Sequence, residues 1–484
     1  MSNIRLSKSK IMQGLQCQKM LWLTIHKPEL AEMSQQTNDI LQGGLHVHEV
    51  FRGLYPDGIL IDGDNGLGEA IAATSQHLSE GVQRLFEATF EHEDVLIRAD
   101  LLEKSDKDFC VFEAKSSTSV KDYHLQDAAI QYWVIAGNNL PIKSFHISYI
   151  NNQFVYPGNS DYQGLFAHEN ITSHILSLVS EVPDLVKICR KTLSGPEPAI
   201  APGCQCSSPW DCPYAQYCSP PRPEEPYAIS TLPGSRRVVE ELQAEGYTNI
   251  LQVPVDRLRL EKHIRIWNAV HNQAPQVSPE LPEQLKAMAF PRYYLDFETI
   301  GFAVPIWEGT RPYQQIPFQY SIHKQENGDQ INSHEFLEID GKLQIRHLAD
   351  QMIHDLGASG PILIYSPFER RMIRLLIDFL PDLKPSLEAL LTRTVDLLAL
   401  MRRYYYHPAM AGSWSIKTVL PAIAPDLSYD KLDEVNNGIA AQSAFLEAIH
   451  PDTTGERRES LRKNMLTYCG LDTLGMLRIV QHFT

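Results

Sequence analysis

VLIRADLLEKSDKDFCVFEAK, residues 95–115, reads as two short buried strands, 95–102 and 109–115, joined by a polar turn over 104–108. Apolar residues crowd both ends and charged ones fill the middle, which is the pattern of a hairpin rather than of a helix. Asp100 ends the first of these strands and Glu113 and Lys115 end the second. Side chains alternate along a strand, so Glu113 and Lys115 share one face with Ala114 opposite, and two carboxylates converge with a lysine. Carboxylate oxygens are the hard ligands that Mg2+ or Mn2+ takes, and a neighbouring lysine offsets charge developing on a phosphate. The set reads as a phosphodiester-hydrolysis site; a surface salt-bridge set on a hairpin is the alternative for these three residues alone. Residues 127–135, DAAIQYWVI, have the apolar spacing of a helix packed on the hairpin.

Outward from this stretch, 484 residues make room for about three domains, or two and a connector. A composition of 43% hydrophobic and 21% charged residues excludes disorder over most of the length. The net charge of −16 argues against coating nucleic acid or anionic membrane by bulk charge, so any nucleic acid is met through local basic patches or metal ions. With no long apolar run and no h-region in MSNIRLSKSKIMQGLQCQKMLWL, the expected location is cytoplasmic, without a membrane partner. The proline-rich run SPPRPEEP, 219–226, cannot continue a helix or central strand, and a second break falls at 275–291. The domains are therefore expected at 1–220, 221–290 (a helical connector) and 291–484. Strands at 293–297 and 362–365 and a terminal helix at 461–480, interleaved with helical stretches, predict an α/β architecture.

In the last domain, YLDFET (294–299) presents Asp296 and Glu298 at alternate positions, so both leave the same face of a strand. Far downstream, Tyr468 and Asp472 lie one helical turn apart on one face. Glu369 offers a carboxylate at a strand-to-helix junction, and Asp396, in TVDL, is a second candidate or a structural residue.

Four of the 8 cysteines, Cys204, Cys206, Cys212 and Cys218, fall close together, and three of them are spaced C-x5-C-x5-C. In a reducing compartment this clustering reads as metal ligation. A [4Fe–4S] cluster takes four thiolates, with Cys17 the distant candidate for the fourth. Zinc is the alternative metal, although its sites prefer tighter knuckles, and Cys204 the alternative to Cys206. Cys110, Cys189 and Cys469 read as ordinary buried thiols.

Gly44-Leu45-His46-Val47-His48 in a helical stretch, then Asp100, then Glu113-Ala114-Lys115, then Gln131-Tyr132 on a helix, resembles the RecB-type branch of the PD-(D/E)XK nucleases over residues 5–220. That resemblance implies a restriction-endonuclease-like fold, His48, Asp100 and Glu113 as metal ligands, Lys115 as the catalytic lysine and Gln131 as a support. The family often has tyrosine four residues after the glutamine, where this chain has Ile135. RecB-type nucleases with an iron–sulfur centre have one cysteine before the core and three after it, which implies Cys17, Cys206, Cys212 and Cys218 as cluster ligands. Residues 291–484 resemble the DEDD 3′–5′ exonucleases of the RNase H-like superfamily, in the tyrosine-type variant. This implies Asp296, Glu298, Glu369 and Asp472 around Mg2+ or Mn2+, with Tyr468 orienting the attacking water and Glu369 in place of the usual aspartate. Together the halves resemble a bacterial family joining a RecB-like iron–sulfur nuclease domain to an RNase H-like exonuclease domain.

The function expected is a metal-dependent nuclease on single-stranded or free-ended DNA, in repair, end processing or defence against foreign DNA. Because no G-x-x-x-x-G-K-[ST] loop is present, unwinding would fall to a separate helicase or other repair or defence partner. RNA is the alternative substrate, with only the C-terminal site active; a binding or redox-sensing scaffold is the non-catalytic alternative. The connector stretch ISTLPGSRRVVEELQAEGYTNILQVP (229–254) weakly resembles helix–hairpin–helix units or is a spacer. RRYYYH (402–407) suits stacking of single-stranded bases or ends a partly buried helix.

Overall fold

In the computed structural model, which describes residues 5–32, 35–64, 66–219, 226–234, 236–327 and 330–484, the stretch 95–115 is an antiparallel hairpin. Its strands are Val95–Ser105 and Asp108–Lys115, with Leu101 opposite Phe112 and Ser105 opposite Asp108. The turn is tighter than the sequence suggests, because Asp106 takes a left-handed φ of 59° and the loop closes in two residues. Asp100 consequently lies inside its strand and not at its end, flanked by the buried Ala99 and Leu101.

The chain divides into two compact units, Met1–Arg222 with Gly301–Gln314, and Pro223–Ile300 with Gln315–Thr484. The connector from Pro223 onward thus groups with the C-terminal unit, and most of the proline-rich run, 220–225, lies outside the described residues. Both units are mixed α/β. Among the described residues no helix is long and apolar enough to cross a membrane.

The first unit holds a seven-stranded sheet. Strand Arg84–His92 pairs antiparallel with Val95–Ser105, and Asp108–Lys115 pairs parallel with Ile142–Ile150 through the crossover helix Asp122–Gly137. The short strand Leu6–Ser7 lies parallel to Val95–Leu96 and leads into the helix Lys8–Gln16. Along Asp108–Lys115 one face changes character. Phe109 and Val111 point into the core, while Glu113 and Lys115, at the carboxyl end, make polar contacts; Ala114 on the other face joins a separate apolar cluster with Val47 and Phe51.

In the second unit a five-stranded sheet runs Ile331–Leu337, Ile316–Gln325, Arg292–Ile300, Ile362–Ile364, Thr394–Asp396. The first three strands are antiparallel and the last two join parallel. The helix Gly455–Phe483, longer than the sequence suggests, packs on this sheet through Leu461, Met465, Cys469 and Met476. Three side-chain bonds fix it there: Gln319 Nε2 donates to the Met465 carbonyl at 2.9 Å, and Ser321 Oγ and His323 Nδ1 meet Thr473 Oγ1 at 2.9 and 2.8 Å.

Candidate functional site

The first unit carries a cleft of about 1050 Å³ whose wall includes Lys8, His48, Glu87, Asp100, Glu113, Lys115 and Asp127. Asp100 is 8% exposed and Glu113 2% exposed. Asp100 Oδ2 accepts from the Ala114 backbone N–H at 2.7 Å, locking its carboxylate to the neighbouring strand, and Oδ1 lies 3.4 Å from His48 Nδ1. Burial works against the charged imidazole, yet the bond to Asp100 and its charge hold the His48 pKa above its ordinary value.

Directly across from Asp100 is Glu87, since Phe86 pairs with Leu101 and Ala88 with Ala99 on either side. Like charges in that arrangement repel, and burial and Asp100 push the Glu87 carboxyl up. Glu87 also has a left-handed φ of 54°, a strained conformation for a residue other than glycine. One ligand atom each from His48, Glu87 and Asp100 lie within 4.8 Å of one another. The sequence reading missed Glu87; its signal is weak, because it is one of several acids in LFEATFEHED.

Glu113 Oε1 accepts from both Lys8 Nζ and Lys115 Nζ at 2.7 Å. Asp127 Oδ2 accepts from Lys115 at 2.7 Å and from Lys8 at 3.3 Å, closing a four-member ion cluster. Burial alone would raise the Glu113 carboxyl, but the two lysines hold it well below the carboxylate range. Lys115 is raised for the converse reason: burial is outweighed by Asp127 and Glu113, so it stays a cation. Glu113 Oε2 is buried without a hydrogen-bond partner among the described residues. Gln131 is fully buried one turn beyond Asp127, outside the cleft wall, with both amide atoms unpartnered among the described residues; the crossover helix lends the cleft Tyr123, His124 and Asp127 instead. Tyr132 packs against the core.

Elsewhere in the same unit Cys17, Cys206, Cys212 and Cys218 line one small space, while Cys204 is exposed and does not. Cys17 sits between the helices Lys8–Gln16 and Gln18–His26. The Cys212 N–H donates to the Cys206 carbonyl at 2.8 Å, and Gln16 Nε2 donates to the Gln205 and Trp210 carbonyls at 2.8 and 2.7 Å. Met20, Leu23 and Tyr214 form the apolar floor. Burial, then the neighbouring sulfurs, raise the Cys212 thiol. Among the described residues, groups of three or more ligand atoms within 4.8 Å occur at the two acid sites, so the four sulfurs are more widely spread.

The second unit carries a cavity of about 950 Å³ lined by Asp296, Glu298, Glu369, Tyr468 and Asp472. The central strand supplies the first two acids, the start of the helix Phe368–Phe379 the third, and the C-terminal helix the last pair. These acids repel one another, and of the cations in the cavity wall, Lys262, Arg402 and Lys417, it is Lys417 that partly offsets Glu298 and Asp472. Burial first, then Asp472, pushes Glu298 up to about 8; burial pushes Glu369 to about 7 and Asp472 to about 6. Asp296 is raised by burial and by Asp472, Glu298 and Glu369. Tyr429 donates its hydroxyl to Asp472, and Lys417 Nζ lies 5.1 and 5.3 Å from the Tyr429 and Tyr468 ring centres. Cys469, read from sequence as an ordinary buried thiol, has its Sγ 3.7 Å from Asp296 Oδ2.

Asp396 accepts from the Ala399 N–H at 2.9 Å and caps the helix Leu397–Tyr404, the structural role open to it in the sequence. Tyr405 and Tyr406 are buried and pair with the strand Gln276–Val277, which makes RRYYYH a helix end; Arg402 alone of that stretch lines the cavity. The connector is more than a spacer, since Pro233, Gly234 and Lys262 belong to the cavity wall. It carries one α-helix, Arg236–Ala244, among 3-10 turns before the helix Glu261–Asn272.

A family model described as "Domain of unknown function (DUF2779)" matches residues 293–415, a span that holds Asp296, Glu298 and Glu369 and stops short of Tyr468 and Asp472. No curated protein and no solved structure matches the chain.

Proposed function

We propose that this chain is a metal-dependent nuclease with two active sites, hydrolysing phosphodiester bonds of single-stranded or free-ended DNA in repair, end processing or defence. The observation that carries the reading is that in each unit acids far apart in sequence meet in one cleft at a sheet, which no local charge pattern requires. The strand order and directions of the second sheet support an RNase H-like fold, and the hairpin, crossover helix and parallel strand of the first support a PD-(D/E)XK core.

Both acid sets suit a divalent cation. His48, Glu87 and Asp100 bring hard ligand atoms together, and the mutual repulsion in the second cavity is what a bound cation relieves. A cation held there supplies Lewis-acid stabilisation of charge on a phosphate. Lys115, permanently charged, stabilises charge rather than taking a proton, and Lys8 shares that work. Tyr468 is pushed up by burial and by Asp472, so its neutral hydroxyl orients water. The loose C-x5-C-x5-C spacing suits an iron–sulfur centre better than zinc, whose structural sites prefer tighter C-x2–4-C knuckles. Cys17, Cys206, Cys212 and Cys218 would hold it and tie the N-terminal helices to the loop after the core.

The test is cleavage of 5′-labelled single-stranded DNA with Mn2+ by wild type, Lys115→Ala and Asp296→Ala, with labelled RNA in parallel. Each substitution should remove a different part of the product ladder. Intact DNA with wild type, or strict RNA preference, overturns the reading.

A further inference from the structure

Trp210 is the one exposed tryptophan of the chain's six, with 41% of its surface open. It stands in the wall of the first cleft, with Lys8, Lys115 and Glu113. Its ring centre is 5.0 Å from that of Tyr123, with the planes inclined at 64°. Tyr123 is one helical turn before Asp127, so the aromatic pair adjoins the ion cluster. The Trp210 backbone is held in place: its carbonyl accepts from Gln16 Nε2, and the loop carrying it is closed by the Cys212-to-Cys206 backbone bond. Exposing so large an apolar ring forgoes the gain of burying it, and here the backbone is fixed so as to keep it in the cleft.

We propose that Trp210, backed by Tyr123, is a stacking subsite for an unpaired nucleobase. The inference rests on the nuclease reading of the cleft and specifies its substrate as single-stranded. A strand with a phosphodiester at the lysine–carboxylate floor presents an adjoining base to this wall, and a base already paired and stacked in a duplex is not free to take it. A rigid aromatic plane accepts any base, so the subsite selects strandedness and not sequence. The chain's net charge of −16 adds weight, because affinity that bulk attraction to phosphate does not supply must come from contacts of this kind.

The full-length protein, with its cysteine centre loaded and Ca2+ replacing the catalytic cation, is titrated with oligo-dT, with a blunt duplex and with an oligonucleotide carrying a run of abasic sites. Oligo-dT should quench wild-type tryptophan fluorescence, and Trp210→Phe should lose that quench while keeping most of the affinity. Trp210→Ala should bind oligo-dT about tenfold more weakly and the duplex unchanged. Wild type should bind the abasic strand as weakly as Trp210→Ala binds oligo-dT, a comparison that needs no variant to fold. Equal wild-type affinity for abasic and intact strands, with cleavage preserved, overturns the subsite alone. Failure of wild type to bind or cleave any nucleic acid overturns both this and the nuclease reading.

Discussion

The two carboxylate sites solve the same electrostatic problem in opposite ways. In the first unit Glu113 and Asp127 are matched by Lys8 and Lys115, and the Glu113 carboxyl is held low. In the second, four acids crowd together with Lys417 as a nearby cation, and Glu298, Glu369 and Asp472 rise to about 8, 7 and 6. A charge-balanced site is assembled by the fold itself, whereas a site of mutually repelling buried acids strains the fold until a cation enters. Stability and activity should therefore run together at the Lys8–Glu113–Lys115–Asp127 cluster of the first unit and against each other in the second.

The largest effect tests the second half of that statement. Asp296→Asn should lower Mn2+-dependent cleavage assigned to the second cavity by about a thousandfold, the scale of losing a principal electrostatic group. The same change removes one of the repelling charges, so the cation-free protein should melt at a higher temperature than wild type. A drop in melting temperature along with activity would break the contrast between the sites.

Next is the charge balance of the first site. Lys8→Met leaves Glu113 and Asp127 with one lysine between them and should cost about 3 kcal/mol, as expected for breaking a buried ion cluster. Denaturant unfolding measures this. The variant should also become more dependent on added Mn2+ for stability, in effect making the first site resemble the second. An unchanged midpoint would mean that Lys8 contributes only at the surface.

The pH dependence sharpens the comparison with a smaller effect. The folded pKa of Glu298, about 8, lies above its ordinary value of 4.5. Between those values the folded chain binds more protons than the unfolded one, so stability is lost as pH rises through the window. The cation-free protein should lose melting temperature on the order of 5 °C from pH 5 to pH 8, and saturating Mn2+ should flatten the dependence. A flat profile without cation would mean that these acids are better solvated than their burial indicates.

What was legible in the sequence divides along chain distance. Glu113 and Lys115 share a strand face by alternation, Asp296 and Glu298 likewise, and Tyr468 and Asp472 share a helix face; periodicity alone exposes such pairs. Cys17 is singled out by the resemblance to iron–sulfur RecB-type nucleases, with one cysteine before the core and three after it, and the fold brings it to one small space with Cys206, Cys212 and Cys218. Lys8 was not legible, because its bond to Glu113 spans 105 residues and depends on how the strand Leu6–Ser7 docks beside Val95. Asp127 was not, because it sits one turn before Gln131 on the crossover helix and reaches the cleft only through the way that helix packs on the sheet. Local periods are written in sequence; docking of distant elements is not.

Glu87 tests that distinction at its finest. It carries no motif, yet it opposes Asp100 in the sheet and holds a left-handed φ of 54°. Left-handed backbone costs an ordinary residue of order 1 kcal/mol and persists only where the surroundings impose it. Glu87→Gln keeps the shape and removes the charge that faces Asp100. Without a cation the variant should be slightly more stable than wild type, because the cross-strand repulsion is gone. With one, it should bind Mn2+ about tenfold more weakly by calorimetry, leaving His48 and Asp100 to hold it. Glu87→Gly relaxes the backbone as well and should gain further stability without regaining affinity. Unchanged Mn2+ binding in Glu87→Gln would make the strained acid a feature of the sheet alone and leave Asp100, His48 and Glu113 as the cation's ligands.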